Sequence, residues 1–235
     1  MKKTLLKINK LLSKSFGIPK KNKFQTDPLD ALIATILSQN TTDKNSYRAY
    51  QNLKNSFTTW EDVAAANQKT IEQKIRIGGL AKQKAKAIKT LLNELKKKNG
   101  KINLEYLNKL SNAEIIKELT NFNGVGVKTA SCVLLFSLNR NICPVDTHVH
   151  RVLNRIGVVS TKSPDKTFEF INNFIPEETA YSLHTNLIKL GRDICKAGKP
   201  ICSACPLLSI CKFPSKNFLE PNKLKKNHFL LLDNV

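Results

Sequence analysis

Apolar residues along this chain recur three and four positions apart, the spacing that lines them along one side of a helix. No stretch keeps up the period-two alternation that a half-buried strand requires. The pattern predicts an all-α protein. Residues 1–14 set Leu5, Ile8, Leu11 and Leu12 among lysines and read as an amphipathic helix packed on the body. Asp27-Pro28 opens a second helix, since Asp caps well and Pro costs nothing at the first helical position; Leu29, Leu32, Ile33, Ile36 and Leu37 then make it a buried one. Further helices are predicted over 43–54, 60–66, 70–76 and 81–95, the last stopping at Asn99-Gly100. Ser111 and Glu114 form a capping box, and later helices run over 147–156, from Ser163-Pro164 to about 174, and over 177–190, ending at Gly191. His184 sits in the last of these near Leu183, Leu187 and Leu190, with no ligand-type residue three or four positions away, and reads as structural.

Three interruptions of the helical pattern carry candidate chemistry. Leu37-Ser38-Gln39-Asn40-Thr41-Thr42-Asp43 is a polar loop, and Ile77-Gly78-Gly79-Leu80 holds an apolar residue out on a two-glycine turn. The third is Phe122-Asn123-Gly124-Val125-Gly126-Val127-Lys128, where two glycines allow positive φ and close backbone approach before a helix carrying Ala130, Val133, Leu134, Ser137 and Leu138. Lys128 therefore falls in the first turn of a helix, where unpaired N–H groups offer a place for a phosphate. The helix end and partial burial lower an ammonium pKa from its reference of about 10.4, whereas a bound phosphate raises it, and the sequence leaves the direction open. A neutral amine is a nucleophile, and a carboxylate beside it can relay its proton. Eighteen residues further on, Val145-Asp146-Thr147-His148 supplies one. Asp146 also reads as the N-cap of the 147–156 helix, and one carboxylate can serve both ends because a cap lies at an exposed helix terminus.

Charge narrows the partners. Lys plus Arg number 39 against 18 Asp plus Glu, a formal charge of +21 over 235 residues, which draws polyanions from a distance. Nucleic acid and an anionic membrane are the two polyanions in view. No apolar run approaches the roughly 20 residues needed to span a bilayer. The N-terminal segment lacks the unbroken apolar core of a signal peptide and the arginines of a mitochondrial presequence. The expectation is a cytoplasmic, nucleoid-associated monomer with no membrane partner.

Six cysteines are present, and Cys195, Cys202, Cys205 and Cys211 fall within one short segment with intervening gaps of 6, 2 and 5 residues; Cys132 and Cys143 stand apart. Clustered thiolates without a secretion signal argue for a metal over disulfides. On ligand type, a structural zinc and an iron–sulfur cube are both open.

The hairpin and the Asp146 segment together resemble the helix-hairpin-helix DNA glycosylase superfamily, and within it the iron–sulfur branch typified by endonuclease III. That branch has Leu-Pro-Gly-Val-Gly-x-Lys-Thr-Ala followed by Val-Asp-Thr-His. The chain matches at Gly124, Val125, Gly126, Lys128, Thr129, Ala130, Val145, Asp146, Thr147 and His148, with Phe122 and Asn123 replacing Leu-Pro. The order of cysteine gaps also matches that branch, which implies a 4Fe-4S cluster on Cys195, Cys202, Cys205 and Cys211, with Lys196 and Lys199 of the intervening loop presented to DNA phosphate. The resemblance implies a two-lobed fold. Residues 1–23 form a helix on the cluster lobe of 139–213, whose cysteine loop spans 195–211. A helical bundle of 24–138 contains the hairpin at 111–138, a tail follows at 214–235, and the active-site cleft lies between the lobes.

The function so implied is that of a bifunctional DNA glycosylase and abasic-site lyase of base excision repair. Its partner is double-stranded DNA carrying a damaged base, by default an oxidised pyrimidine, or an abasic site. Lys128 attacks the sugar and Asp146 assists. The DNA contacts implied are Gln39, Asn40 and Thr41 of the polar loop, Leu80, Gly124, Val125 and Gly126 of the hairpin, and His148. The family places a glutamine one position later than Gln39, so either Gln39 or Asn40 fills the gap a flipped base leaves. Leu80 is either a wedge between base pairs or simply the start of its helix. Two rivals stand beside this reading: the adenine mismatch glycosylase, which has a glutamate where this chain has Thr35, and a non-catalytic DNA-binding protein.

Overall fold

The computed structural model describes residues 1–20 and 25–218; most of the 214–235 tail lies outside the described residues. In chain order the helices are α1 (Lys2–Phe16), α2 (Pro28–Leu37), α3 (Asp43–Ser56), α4 (Trp60–Ala65), α5 (Gln68–Ile75), α6 (Ala81–Asn99), α7 (Asn112–Thr120), α8 (Val127–Cys132), α9 (Thr147–Arg155), α10 (Pro164–Asn172) and α11 (Ala180–Asp193). Short 3₁₀ turns lie between some of them, and no strand occurs among the described residues. The protein is all-α.

Two compact units divide the chain, one holding residues 25–140, the other residues 1–20 together with 141–218. The first is built on α2. Asp27 Oδ1 accepts from the N–H groups of Leu29 and Asp30, and every residue of α2 but Asp30 is buried. A helix apolar on all sides must be surrounded, and α3, α6 and α8 pack against it. Asp30 is the one polar exit, accepting from the Trp60 indole at 3.0 Å and the Lys54 ammonium at 3.3 Å. Thr35, wholly buried, turns its hydroxyl back onto the Ala31 carbonyl at 2.7 Å.

In the other unit α11 is the centre, with α1 and α9 on it and α10 on α9. Leu5, Ile8 and Leu12 of α1 are fully buried, as the stripe of leucines predicts. His184 is buried with Nδ1 2.9 Å from the Pro144 carbonyl, an acceptor only, so that nitrogen carries the proton and the residue is structural. Gly191, predicted to end this helix, does not. It lies inside α11, where an added Cβ would come within 2.8 Å of His148 Cβ, so it is there for a close approach of α9. The helix expected to reach 174 stops at Asn172, and the one expected from 177 starts at Ala180, after Glu178 takes a left-handed conformation at φ 58°.

Candidate active site

The hairpin starts from a firm base. Ser111 and Glu114 cap α7 reciprocally, and after Thr120 the chain turns through Phe122 and Val125, both buried, with the Val125 N–H donating to the Phe122 carbonyl at 3.1 Å. Gly124 has φ 83°, and a Cβ there would lie 3.4 Å from Ala87 of α6. The conformation, not the space, is what calls for glycine there. Gly126, the second candidate for positive φ, is instead extended, φ −97° and ψ 177°, as the residue preceding α8. Lys128 is half-buried in the first turn of α8, its carbonyl accepting from the Ser131 hydroxyl at 2.9 Å. Beyond Cys132 the helix widens into a π turn, Val133–Ser137, in which the Leu138 N–H reaches back to the Val133 carbonyl at 3.1 Å. Such turns are often found at functional sites.

The polar loop lies against this hairpin. Gln39 Nε2 donates to the Gly124 carbonyl at 3.0 Å, so the amide of Gln39 is engaged within the protein. Asn40 beside it is exposed and left-handed, φ 52°, and Thr41 is half-buried. Leu80 is left-handed too, φ 48°, and 47% exposed at the start of α6. A leucine in that conformation is unusual, because its Cβ crowds the following carbonyl. The residue the sequence does not reveal is Lys84. It is 3% exposed, with Nζ 2.7 Å from the Leu37 carbonyl and 2.8 Å from the Gly78 carbonyl, and burial pulls its pKa down to about 8. Its position three after Ala81 and four before Ile88 is the signal that it faces inward.

In the other unit, Asp146 caps α9, its Oδ1 accepting from the Val149 N–H at 2.8 Å. His148 and Arg151 follow one turn apart, Nδ1 of the histidine 3.1 Å from Nη2 of the arginine. Burial first, then the guanidinium groups of Arg151 and Arg192, hold His148 below the usual imidazole range against the pull of Asp146. Arg151 also donates to the carbonyls of Cys195 at 3.0 Å and Gly191 at 2.8 Å. Arg155 donates to the carbonyls of Lys196 and Ala197 at 2.7 Å each, lies over the Phe213 ring, and points Nη1 at Cys195 Sγ at 3.5 Å. The helix that Asp146 starts is thus fastened by two arginines to the cysteine loop, and Lys196 and Lys199 stand exposed on that loop.

Cys195, Cys202, Cys205 and Cys211 line one pocket, with Ile194, Ile201 and other apolar residues around them. Among the described residues no group of His, Cys, Asp or Glu is drawn together around a single-ion site. Burial, and then the three neighbouring cysteines, push the Cys205 thiol up to about 11. A thiol so placed gives up its proton more readily when positive charge is supplied to it. Donors already face the sulfurs: the Asn217 N–H is 3.4 Å from Cys202 Sγ, and Arg155 serves Cys195. The residues fit a thiolate-held metal group.

This fold and these segments define a class. Residues 33–177 match the HhH-GPD superfamily of base excision DNA repair proteins, and the chain belongs to that family. An Arabidopsis thaliana relative is 46% identical over 178 residues, 75% of this chain, which spans 58% of that relative's length. Endonuclease III of Thermotoga maritima is 34% identical over 194 residues, covering 82% of this chain and 86% of the enzyme. A solved structure of a trapped covalent endonuclease III–DNA intermediate superposes with a TM-score of 0.75 at 30% identity, covering 90% of this chain and 96% of that one.

Proposed function

We propose that the protein is a bifunctional DNA glycosylase and abasic-site lyase acting on damaged, chiefly oxidised, pyrimidines in double-stranded DNA. The observation that carries this is Lys128, half-buried on the first turn after a glycine hairpin whose Gly124 carbonyl is tied to the polar loop. The Lys128 amine attacks C1′ of the flipped nucleotide, the bond from C1′ to the base breaks, and the base leaves. Asp146 stabilises the positive charge developing on the sugar and takes a proton from the attacking amine; the C1′–O4′ bond then opens, O4′ receives a proton, and a Schiff base is left between Lys128 and C1′. Loss of a proton from C2′ then expels the 3′ phosphate and nicks the strand. Gly124, Val125, Gly126, Thr41, His148, Lys196 and Lys199 hold phosphate and duplex.

Engagement of Gln39 with the hairpin supports Asn40 as the amide that fills the vacated stack, with Leu80 as the apolar wedge on the same unit. Thr35, buried with its hydroxyl committed to Ala31, supplies no carboxylate of the kind the mismatch rival needs. Cys195, Cys202, Cys205 and Cys211 would hold a 4Fe-4S cluster, which fixes the lysine-bearing loop. Its expected signature is a broad visible absorption band in purified protein; colourless protein with stoichiometric zinc would exclude it.

The covalent step is tested by borohydride trapping on duplex DNA containing thymine glycol, beside a duplex with an adenine mismatch. Wild type is expected to form a stable adduct on the first, and Lys128→Ala none. Undiminished adduct in Lys128→Ala would assign the nucleophile elsewhere.

A further inference from the structure

Among the described residues, Lys84 is a cation buried without an acidic partner. Its two hydrogen-bond acceptors are not arbitrary carbonyls: Leu37 is the last residue of α2, and Gly78 is the last residue of the 3₁₀ turn Arg76–Gly78. The final carbonyls of a helix lack partners within it and carry its negative end, so an ammonium there is held by charge as well as by hydrogen bonds. One side chain caps two elements at once. The two capped ends lead into similar backbone. Three residues past Leu37 stands Asn40, and two past Gly78 stands Leu80, each exposed and left-handed. Gly78 has little room to move, since a Cβ on it would meet Ala49 Cβ at 3.1 Å and Lys84 Nζ at 4.0 Å. At 3% exposure the amine is out of reach of a substrate sugar, which rules it out as a second nucleophile.

We propose that Lys84 is a positioning residue that fixes the spacing between the Asn40 loop and the Leu80 turn, so that the two enter the duplex as one rigid pair. This rests on the reading of those two residues as the groups that penetrate DNA. Without the clamp, each loop must be ordered separately when DNA binds, and that cost falls on insertion, not on phosphate contact.

The test reads insertion directly and needs no chemistry. A duplex carries 2-aminopurine opposite a tetrahydrofuran abasic analogue, and its fluorescence rises when the base is unstacked by the entering loops. At saturating protein, wild type is expected to raise the emission several-fold. Lys84→Met, close in length but without donors, should lose most of that rise, whereas Lys86→Ala, at an exposed lysine of the same helix, should keep it. Circular dichroism and thermal unfolding verify that each variant is folded; if Lys84→Met is not, Lys84→Gln, which is neutral and shorter but keeps an NH2 group, carries the same comparison. In wild type, Asn40→Ala and Leu80→Ala should combine non-additively, and in the Lys84 variant their effects should simply multiply. Full emission in the folded Lys84 variant, unchanged coupling between Asn40 and Leu80, or no rise with wild type each overturns the proposal. Wild type that raises emission yet traps no borohydride adduct leaves the clamp standing and removes the lyase reading instead.

Discussion

Asp146 caps α9 and, in the proposed function, also assists the chemistry, and an amide separates the two. Asparagine caps a helix about as well as aspartate, so Asp146→Asn keeps α9 in place while removing the negative charge. DNA affinity should stay near wild type, and single-turnover excision should fall by on the order of 10²–10⁴-fold, the range expected for a group that assists proton transfer. Equal turnover in the two proteins would leave Asp146 with capping alone. The cap is legible in the sequence because an Asp before a helix states it, whereas the catalytic role enters only with the family resemblance. Lys84 is not legible. Lysines recur along α6 at 82, 84, 86 and 89, and one buried member of such a series is hidden by its solvated neighbours. Gly126 misleads for another reason: glycine marks a place where a side chain is unwelcome, without saying whether φ or space is the cause.

At the scale of elements, the capped helices can be read closely. Asp27-Pro28, Ser111 with Glu114, and Ser163-Pro164 each state a start by a mechanism that depends on neighbours in sequence alone. The π turn at Val133–Ser137 cannot be read, because one extra residue per turn shifts the phase of the apolar positions too little to show over five residues. Gly191 marks the same limit between helices, since its role depends on His148 lying across from it. There the consequence is measurable. Gly191→Ala improves local helix propensity but puts a methyl 2.8 Å from His148 Cβ, and α9 must move to admit it. Overpacking of that kind costs about 1–3 kcal/mol. Chemical denaturation should show the loss, and a Gly191→Ala protein as stable as wild type would mean that α9 shifts freely on α11. Since α9 begins at Asp146, the same variant should also slow excision.

For the whole molecule, the formal charge of +21 sets how binding responds to salt. Affinity for any duplex should fall linearly on a log–log plot as salt rises, and replacing both Lys196 and Lys199 by alanine should reduce the slope by about 2 if each meets one phosphate. An unchanged slope in the double variant would remove the cysteine loop from the DNA-contacting surface. Affinity for damaged over undamaged duplex should change little in that variant, because phosphate contacts position without specifying.

The seating of α1 has a consequence for how the protein is made. The hydrogen bond from the Ser182 hydroxyl to Asn9 Oδ1 joins residues 173 positions apart, and Leu5, Ile8 and Leu12 are buried in the same unit. On a ribosome adding about 5–20 residues per second, that interval is roughly 10–35 s. Residues 25–140 are synthesised within that time, while α1 still shows Leu5, Ile8 and Leu12 to water. A holding chaperone reaching this nascent chain finds an apolar handle in α1, and finds it gone once synthesis has passed α11.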